Sequence, residues 1–175
     1  ASSVVSDVLV LDPWRPVPSL GGHTSFPSGS FERSAIDNRS DVLTYTTSLL
    51  ETDLAVTGEV TLTLEIQTDT PSYDLCAVLS VVHANHQVFN LTQGYRRIFD
   101  SGDNQVIKLA LQPTCFRILA GQALRLSLSA ACFPAYTVNP GTGTDSLDTV
   151  PTIEHQIITL TVYQNENTRL TLPIV

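Results

Sequence analysis

Residues 41–68 read DVLTYTTSLLETDLAVTGEVTLTLEIQT: a strand-like run, an acidic and turn-rich connection, a glycine, and then a segment of strict alternation. In that last segment Val60, Leu62, Leu64 and Ile66 fall on one face and Thr61, Thr63, Glu65 and Gln67 on the other, because successive side chains of a strand point to opposite sides of the sheet. One face meets a core and the other meets water. This is the pattern of a sandwich strand, not of an active-site loop.

Working outward from it, Val42–Thr47 reads as the preceding core strand. Leu75–Val82 is apolar almost throughout, as expected for a strand covered on both faces or twisted within a tight sandwich. His83–His86 closes it with a turn, and Val88–Thr92 and Gly94–Phe99 follow as two short strands. Ile107, Leu109 and Leu111 alternate with Lys108 and Ala110 until Pro113, which cannot donate to a ladder, stops them. Leu124, Leu126 and Leu128 repeat the device with Arg125, Ser127 and Ser129 outward, and Ile158, Leu160 and Val162 repeat it once more before a final strand over 170–175. Helical periodicity is not sustained anywhere, and a short helix finds room only at 48–54 or 113–121. The pattern predicts about eight to ten strands in an all-β, jelly-roll β-sandwich.

A chain of 175 residues supports one domain with a proper core. Its 42% hydrophobic and 15% charged content is that of a globular protein, and its apolar runs are too short for a membrane span. Nine basic against seventeen acidic residues give a net charge of -8, which repels a phosphate backbone or an anionic bilayer, so neither nucleic acid nor membrane is expected as a partner. Cys76, Cys115 and Cys132 lie in apolar text without CxxC spacing, and an odd number cannot all pair within one chain; they read as small buried hydrophobes. The opening ASSVVSDVLVLDPWRPVPSLGG begins on Ala1 rather than Met and lacks the basic and apolar regions of a signal peptide, which points to sequence upstream and to a soluble, cytoplasmic setting. Four of the ten prolines, with Gly21 and Gly22, crowd residues 12–27 and favour extended, irregular chain. Residues 1–38 are accordingly read as an arm and linker, and residues 39–175 as the sandwich.

Chemistry is hard to find. Ser28 and Ser30 lie near His23, but no glycines frame the GxSxG elbow that would expose a nucleophile, and turn hydroxyls account for them. His83 and His86 form an HxxH without a third ligand at recognisable spacing. Asp100, Asp103, Asp145 and Asp148 could offer oxygens to calcium but read as turn-capping carboxylates. No catalytic residue, metal or cofactor is therefore assigned. Of Arg96 and Arg97, which alternate faces, one is expected to point to a covered surface and to need a carboxylate or backbone carbonyls there, a structural ion pair in preference to a ligand site. The sequon matches at Asn38 and Asn90 are weak signals in a Ser/Thr-rich chain.

Several segments read together carry a resemblance: RSDVLTYTTSLLETDLAVTGEVTLTLEIQTDTPSYDLCAVL from Arg39, LTQGYRR ending at Arg97, LQPTCFRILAGQALRLSLSAACFPAYTVNPGTG ending at Gly143, and the terminal TRLTLPIV. In order and spacing they are similar to the C-terminal non-catalytic domain of the X-prolyl dipeptidyl-peptidase and cocaine esterase (CocE/NonD) family of serine hydrolases. That resemblance implies a galactose-binding-domain-like jelly roll. It also implies a preceding α/β-hydrolase domain of the same polypeptide as partner, carrying the Ser, Asp and His triad outside this chain. DPWRPVPSLGG and SGSFERSAIDNR resemble the family's connection between the two. Arg97 matches the family's arginine after the glycine of a GxxR stretch, here Gly94, whereas Gln122 and Ala123 stand where the family commonly has His and Arg. The expected role is packing against the hydrolase, with a sheet or dimer interface in reach. The anchors expected for it are Trp14, Arg15, Phe26, Phe31, Phe133 and Tyr136, with Arg97 beside them. A carbohydrate-binding module is the alternative, and it requires coplanar exposed aromatics.

Overall fold

The strand that decides the fold, β4 (Thr61–Thr68), runs through the middle of one sheet with Leu62, Leu64 and Ile66 each 1% exposed. The computed structural model describes residues 5–99, 104–144 and 152–175. In chain order the other elements are β1 (Val5–Leu11), α1 (Ser34–Asp37), β2 (Leu43–Thr46), β3 (Leu54–Gly58), β5 (Ser72–Val82), β6 (Val88–Phe99), β7 (Gln105–Ala110), β8 (Thr114–Ile118), β9 (Ala123–Ser129), β10 (Ile158–Gln164) and β11 (Arg169–Thr171). All strand pairings are antiparallel. The first sheet has the order β1-β10-β4-β11, with β7 on the other edge of β4; the second has the order β2-β9-β5-β6; β3 and β8 form a separate ladder. The all-β sandwich expected from period-two alternation is the architecture found.

The inner faces meet as that alternation requires. Leu9, Leu11, Leu62, Leu64, Ile66, Ile107, Leu109, Ile158, Leu160 and Val162 from the first sheet pack in one core with Tyr73, Leu75, Ala77, Leu79, Val81, Leu124, Leu126 and Leu128 from the second. Near one end Tyr45 on β2 donates its hydroxyl to Asp7 on β1 at 2.7 Å, a bond from one sheet to the other. All eleven residues of β5 are buried, in agreement with a strand covered on both faces.

Four features differ from the sequence reading. The first is β1, which falls within the segment assigned to the arm: Val5–Leu11 pairs in full register with β10 and sends Leu9 and Leu11 into the core, so the sandwich does not begin at residue 39. Its alternation is masked because the outward Val8 and Val10 are also apolar, though 54% and 44% exposed. Second, 113–121 contains strand β8 rather than a helix, and the helix lies at Ser34–Asp37. Third, Val88–Thr92 and Gly94–Phe99 are one strand: Leu79 faces Thr92 and Ser80 faces Asn90, which leaves Leu91 as a bulge. The bulge shifts the alternation by one, and so the two halves look like separate strands. Fourth, Cys115 is exposed, on the same outward side of β8 as Arg117, where its sulfur lies 3.3 Å from the Thr57 hydroxyl; only Cys76 and Cys132 are buried. Asp100, Asp103, Asp145 and Asp148 lie outside the described residues.

Candidate docking face

The outer face of the second sheet should be wet by its composition: Ser72, Asp74, Ser80, Asn90, Gln93, Ser127 and Ser129 all point away from the core. It is buried instead, every one of these residues being less than 9% exposed. Two segments lie over it, the arm of residues 12–42 and the loop of residues 131–143. Covering a polar face costs little only where its groups find partners; the arm supplies them to Asn90, Gln93 and Ser127, while the Ser80 hydroxyl is buried without one. Asn90 Oδ1 accepts from Phe31 N at 2.7 Å while its Nδ2 donates to the Gly29 carbonyl at 3.0 Å, and Ser30 donates to the Asn90 carbonyl at 2.9 Å. Gln93 Nε2 donates to Thr24 at 3.0 Å. Glu32 receives Val88 N at 3.2 Å together with the Ser34 amide and hydroxyl; the Ser34 hydroxyl chiefly holds its carboxyl below the usual range. Asp37, at the end of α1, accepts from Arg33 at 2.9 Å and Ser127 at 2.9 Å, with Arg125 3.5 Å away.

Between these anchors the arm makes an excursion. Gly22 and Gly29 exchange both backbone hydrogen bonds, at 2.7 and 2.9 Å, and close a loop that turns Thr24 onto Gln93 and leaves His23 and Phe26 to Ser28 exposed. Gly22 has φ +71°, and a Cβ there would collide with the Gln93 side chain, so glycine lets the arm lie flat on β6.

A second knot sits at the other end of the same face. Asp74 is 1% exposed and directly opposite Arg97 in the β5–β6 register. Its carboxylate takes both Arg97 Nε and Nη2, at 2.7 and 2.8 Å, the Tyr95 hydroxyl at 2.8 Å and Asn139 Nδ2 at 2.9 Å. Arg97 also donates to the Thr137 carbonyl at 2.7 Å, while Asn139 Oδ1 receives the Ser72 hydroxyl and Gly141 N, each at 2.9 Å. Tyr136 stacks on Tyr95 with centroids 3.7 Å apart. The knot thereby pins residues 136–141 against the sheet. The arm joins it, since Phe133 N donates to the Val17 carbonyl at 2.9 Å and Ser19 N to the Phe133 carbonyl at 2.7 Å.

The residues proposed as anchors therefore divide. Arg97 is the arginine that faces a covered surface, and its carboxylate partner is Asp74, while Arg96 is exposed. Tyr136 is half-buried in the stack on Tyr95, and Phe31 is half-buried where its amide meets Asn90. Trp14, Phe133 and Phe26 point to solvent, at 53%, 46% and full exposure, and Arg15 is exposed beside Trp14. Asn90, Gln93, Arg33, Asp37 and Asn139 escaped the sequence reading. Asn90 carried a misleading signal, its sequon, although a side chain 5% exposed and bonded on both amide atoms is no acceptor for glycan. Of the other candidates, His83 bonds Gln122 at 2.8 Å and packs edge-on against Phe89, and His86 is exposed with φ 67° in the turn between β5 and β6. Ser28 is exposed at the loop and Ser30 is bonded to the Asn90 carbonyl. Among the described residues, no group of three or more His, Cys, Asp or Glu could hold a metal, and no helix is long and apolar enough to cross a membrane.

Fold and face together define a class of protein: a β-sandwich module whose buried polar groups fasten an N-terminal arm and a loop onto one of its own sheets. Residues 4–170 match the model of the X-Pro dipeptidyl-peptidase C-terminal non-catalytic domain, and the chain belongs to that family. Cocaine esterase of Rhodococcus sp. (strain MB1 Bresler) is 29% identical over 152 residues, 79% of this chain and 26% of the esterase. Among solved structures, an α-amino acid ester hydrolase superposes with a TM-score of 0.87 at 20% identity, covering 100% of this chain and 33% of its own. An aminopeptidase from the marine sediment archaeon Thaumarchaeota archaeon gives 0.86 at 20% identity, covering 100% and 34%. These two likenesses are of fold. The chain spans about a quarter of the length of the curated relatives it matches.

Proposed function

We propose that this chain is the structural β-sandwich domain of a larger serine hydrolase that cleaves ester or amide acyl bonds, and that it docks on the α/β-hydrolase domain of the same polypeptide. The observation that carries the reading is the match of residues 4–170 to a non-catalytic domain family, in a chain spanning only about a quarter of its curated relatives. The arm supports it. A segment tied down at Gly29, Phe31, Glu32 and Asp37 is a rigid base for the exposed Phe26, and the Asp12 carboxylate, which accepts from Trp14 N, fixes the turn that bears the exposed Trp14. Large apolar side chains on a fixed base are what an interface uses as anchors, because their ordering cost is already met within the domain. The contribution to catalysis is mechanical: a stiff module against the hydrolase keeps the loops around its active site in place.

The test uses the two parts of the parent enzyme expressed separately. The chain alone turns over neither activated esters nor X-prolyl amides, and it binds the hydrolase domain in calorimetry. Phe26→Ala and Trp14→Ala weaken that binding at least tenfold while leaving the melting temperature of the isolated chain unchanged. Turnover that follows this chain through purification overturns the reading.

A further inference from the structure

Cys76 and Cys132 are distant in sequence, yet they share one small packed cluster with Val78, against which Tyr95, Ala135 and Tyr136 lie. Strand pairing brings them together. Cys76 sits on the outward face of β5 opposite Ser129 of β9, and three residues further on the chain has turned back to place Cys132 beside it. The Ser129 hydroxyl holds this turn by donating to the Ala131 carbonyl at 2.8 Å. Both cysteines are free thiols, each shifts the other's acidity, and the Arg33 guanidinium of the arm bears on both.

We propose that Cys76 and Cys132 form a reversible redox pair, closed to a disulfide by hydrogen peroxide, that clamps the turn bearing Phe133 and Tyr136 onto β5. Cys132 is the attacking thiol. It is the more exposed of the two, 8% against 2%, and its acidity is raised by Cys76 and by Arg33, against the effect of burial. Cys76 is held in the thiol form by Cys132 and by its burial. The Cys132 thiolate attacks one peroxide oxygen; an S–O bond forms, the O–O bond breaks, and the departing oxygen leaves as water after taking up a proton. The Cys76 sulfur then displaces hydroxide from the sulfenic acid of Cys132, forming the S–S bond while its own proton completes a second water. Two thiols lose two electrons together and one hydrogen peroxide is reduced. Two sequence-distant thiols packed in contact need little chain movement to join, and the bond would cross-link a 57-residue stretch of chain from Cys76 to Cys132. Cys115, alone on β8, is the internal control.

The experiment is peptide mapping under non-reducing conditions of the purified chain after treatment with hydrogen peroxide. The expected product weighs about two mass units less than the starting protein, contains the Cys76–Cys132 cross-link, and reverts with dithiothreitol. In Cys76→Ser, a dimedone trap labels Cys132; in Cys132→Ser, Cys76 stays unlabelled. The wild-type mapping stands whether or not either variant folds. The proposal is overturned if both thiols remain free after peroxide and alkylate on unfolding, if they proceed to sulfinic acid without joining, or if the cross-link involves Cys115.

Discussion

Asp74 and Arg97 face one another across β5 and β6 in a two-pronged ion pair, with the carboxylate 1% exposed and the guanidinium 17% exposed. The Tyr95 hydroxyl and Asn139 complete the carboxylate's shell. A charge buried so deeply is tolerable only while paired, and removing one partner costs about 3–5 kcal/mol. Arg97→Ala is expected to lose that amount in urea unfolding. Arg97→Lys should recover only part of it, because an ammonium cannot meet both oxygens in the fork geometry. Asp74→Asn with Arg97→Met together should cost less than Arg97→Ala alone, which a double-mutant cycle measures.

Alkaline pH should unfold the domain sooner than composition suggests. Burial pushes the Tyr73 phenol up to about 12, burial and Asp7 push Tyr45 well above its usual range, and burial with Asp74 does the same for Tyr95. An unfolded tyrosine loses its proton near pH 10. Between that pH and the folded value the native state binds more protons than the unfolded one, so stability is full below about pH 10 and falls as pH rises through about 12. Tyr73→Phe tests the assignment. Its hydroxyl is buried with no protein partner, so removal should be neutral or stabilising by about 1 kcal/mol and should flatten the alkaline slope. Chemical unfolding across pH 8 to 11 reads both (range set by the reference phenol).

Gly94 lies where the end of β7 crosses β6. A Cβ there would stand 2.7 Å from the Ala110 carbonyl oxygen and 3.2 Å from the Leu111 Cα, both backbone atoms that cannot swing aside. Gly94→Ala is expected to destabilise by about 1–3 kcal/mol, the usual cost of overpacking. Ala77→Gly, opposite it in the register, should not rescue the loss, because the clash comes from β7 and not from β5. Thermal melts of the two single variants and the double decide this.

Asn90 is the hinge on which the arm is fastened. Asn90→Ala removes the acceptor of Phe31 N and the donor to the Gly29 carbonyl, at a cost of about 1–3 kcal/mol. The effect should be local: hydrogen exchange should accelerate over residues 22–33 while the β4 amides stay protected, and limited proteolysis should cut first near Phe26. Expression in a glycosylating host should leave Asn90 unmodified in the folded protein, which intact mass determines.

Much of the fold was legible because a strand writes its burial into its own residues. The alternation at Val60–Ile66, at Leu124–Leu128 and at Ile158–Val162 assigns each side chain a face without reference to any distant part of the chain. Where local writing fails, reading fails with it. β1 hid behind Val8 and Val10, which are apolar on the outward face, and β6 hid behind the bulge at Leu91, which inverts the alternation halfway along. On the outer face of the second sheet the residues said only that one of Arg96 and Arg97 would be covered; that it is Arg97, with Asp74 as its partner twenty-three positions away, is fixed by the pairing of β5 with β6.

The amino-acid order alone thus determined the class of fold and the composition of its core, because apolar side chains at period two have one low-energy solution, a buried face. Only the tertiary structure decided that the polar back of the second sheet is dry. Ser127, Asn90 and Asp74 would be ordinary solvent-facing residues of a strand were it not for partners 90, 59 and 65 positions away, at Asp37, Phe31 and Asn139. The covering of a polar surface depends on hydrogen-bond geometry closed across the whole chain, and no local pattern encodes it.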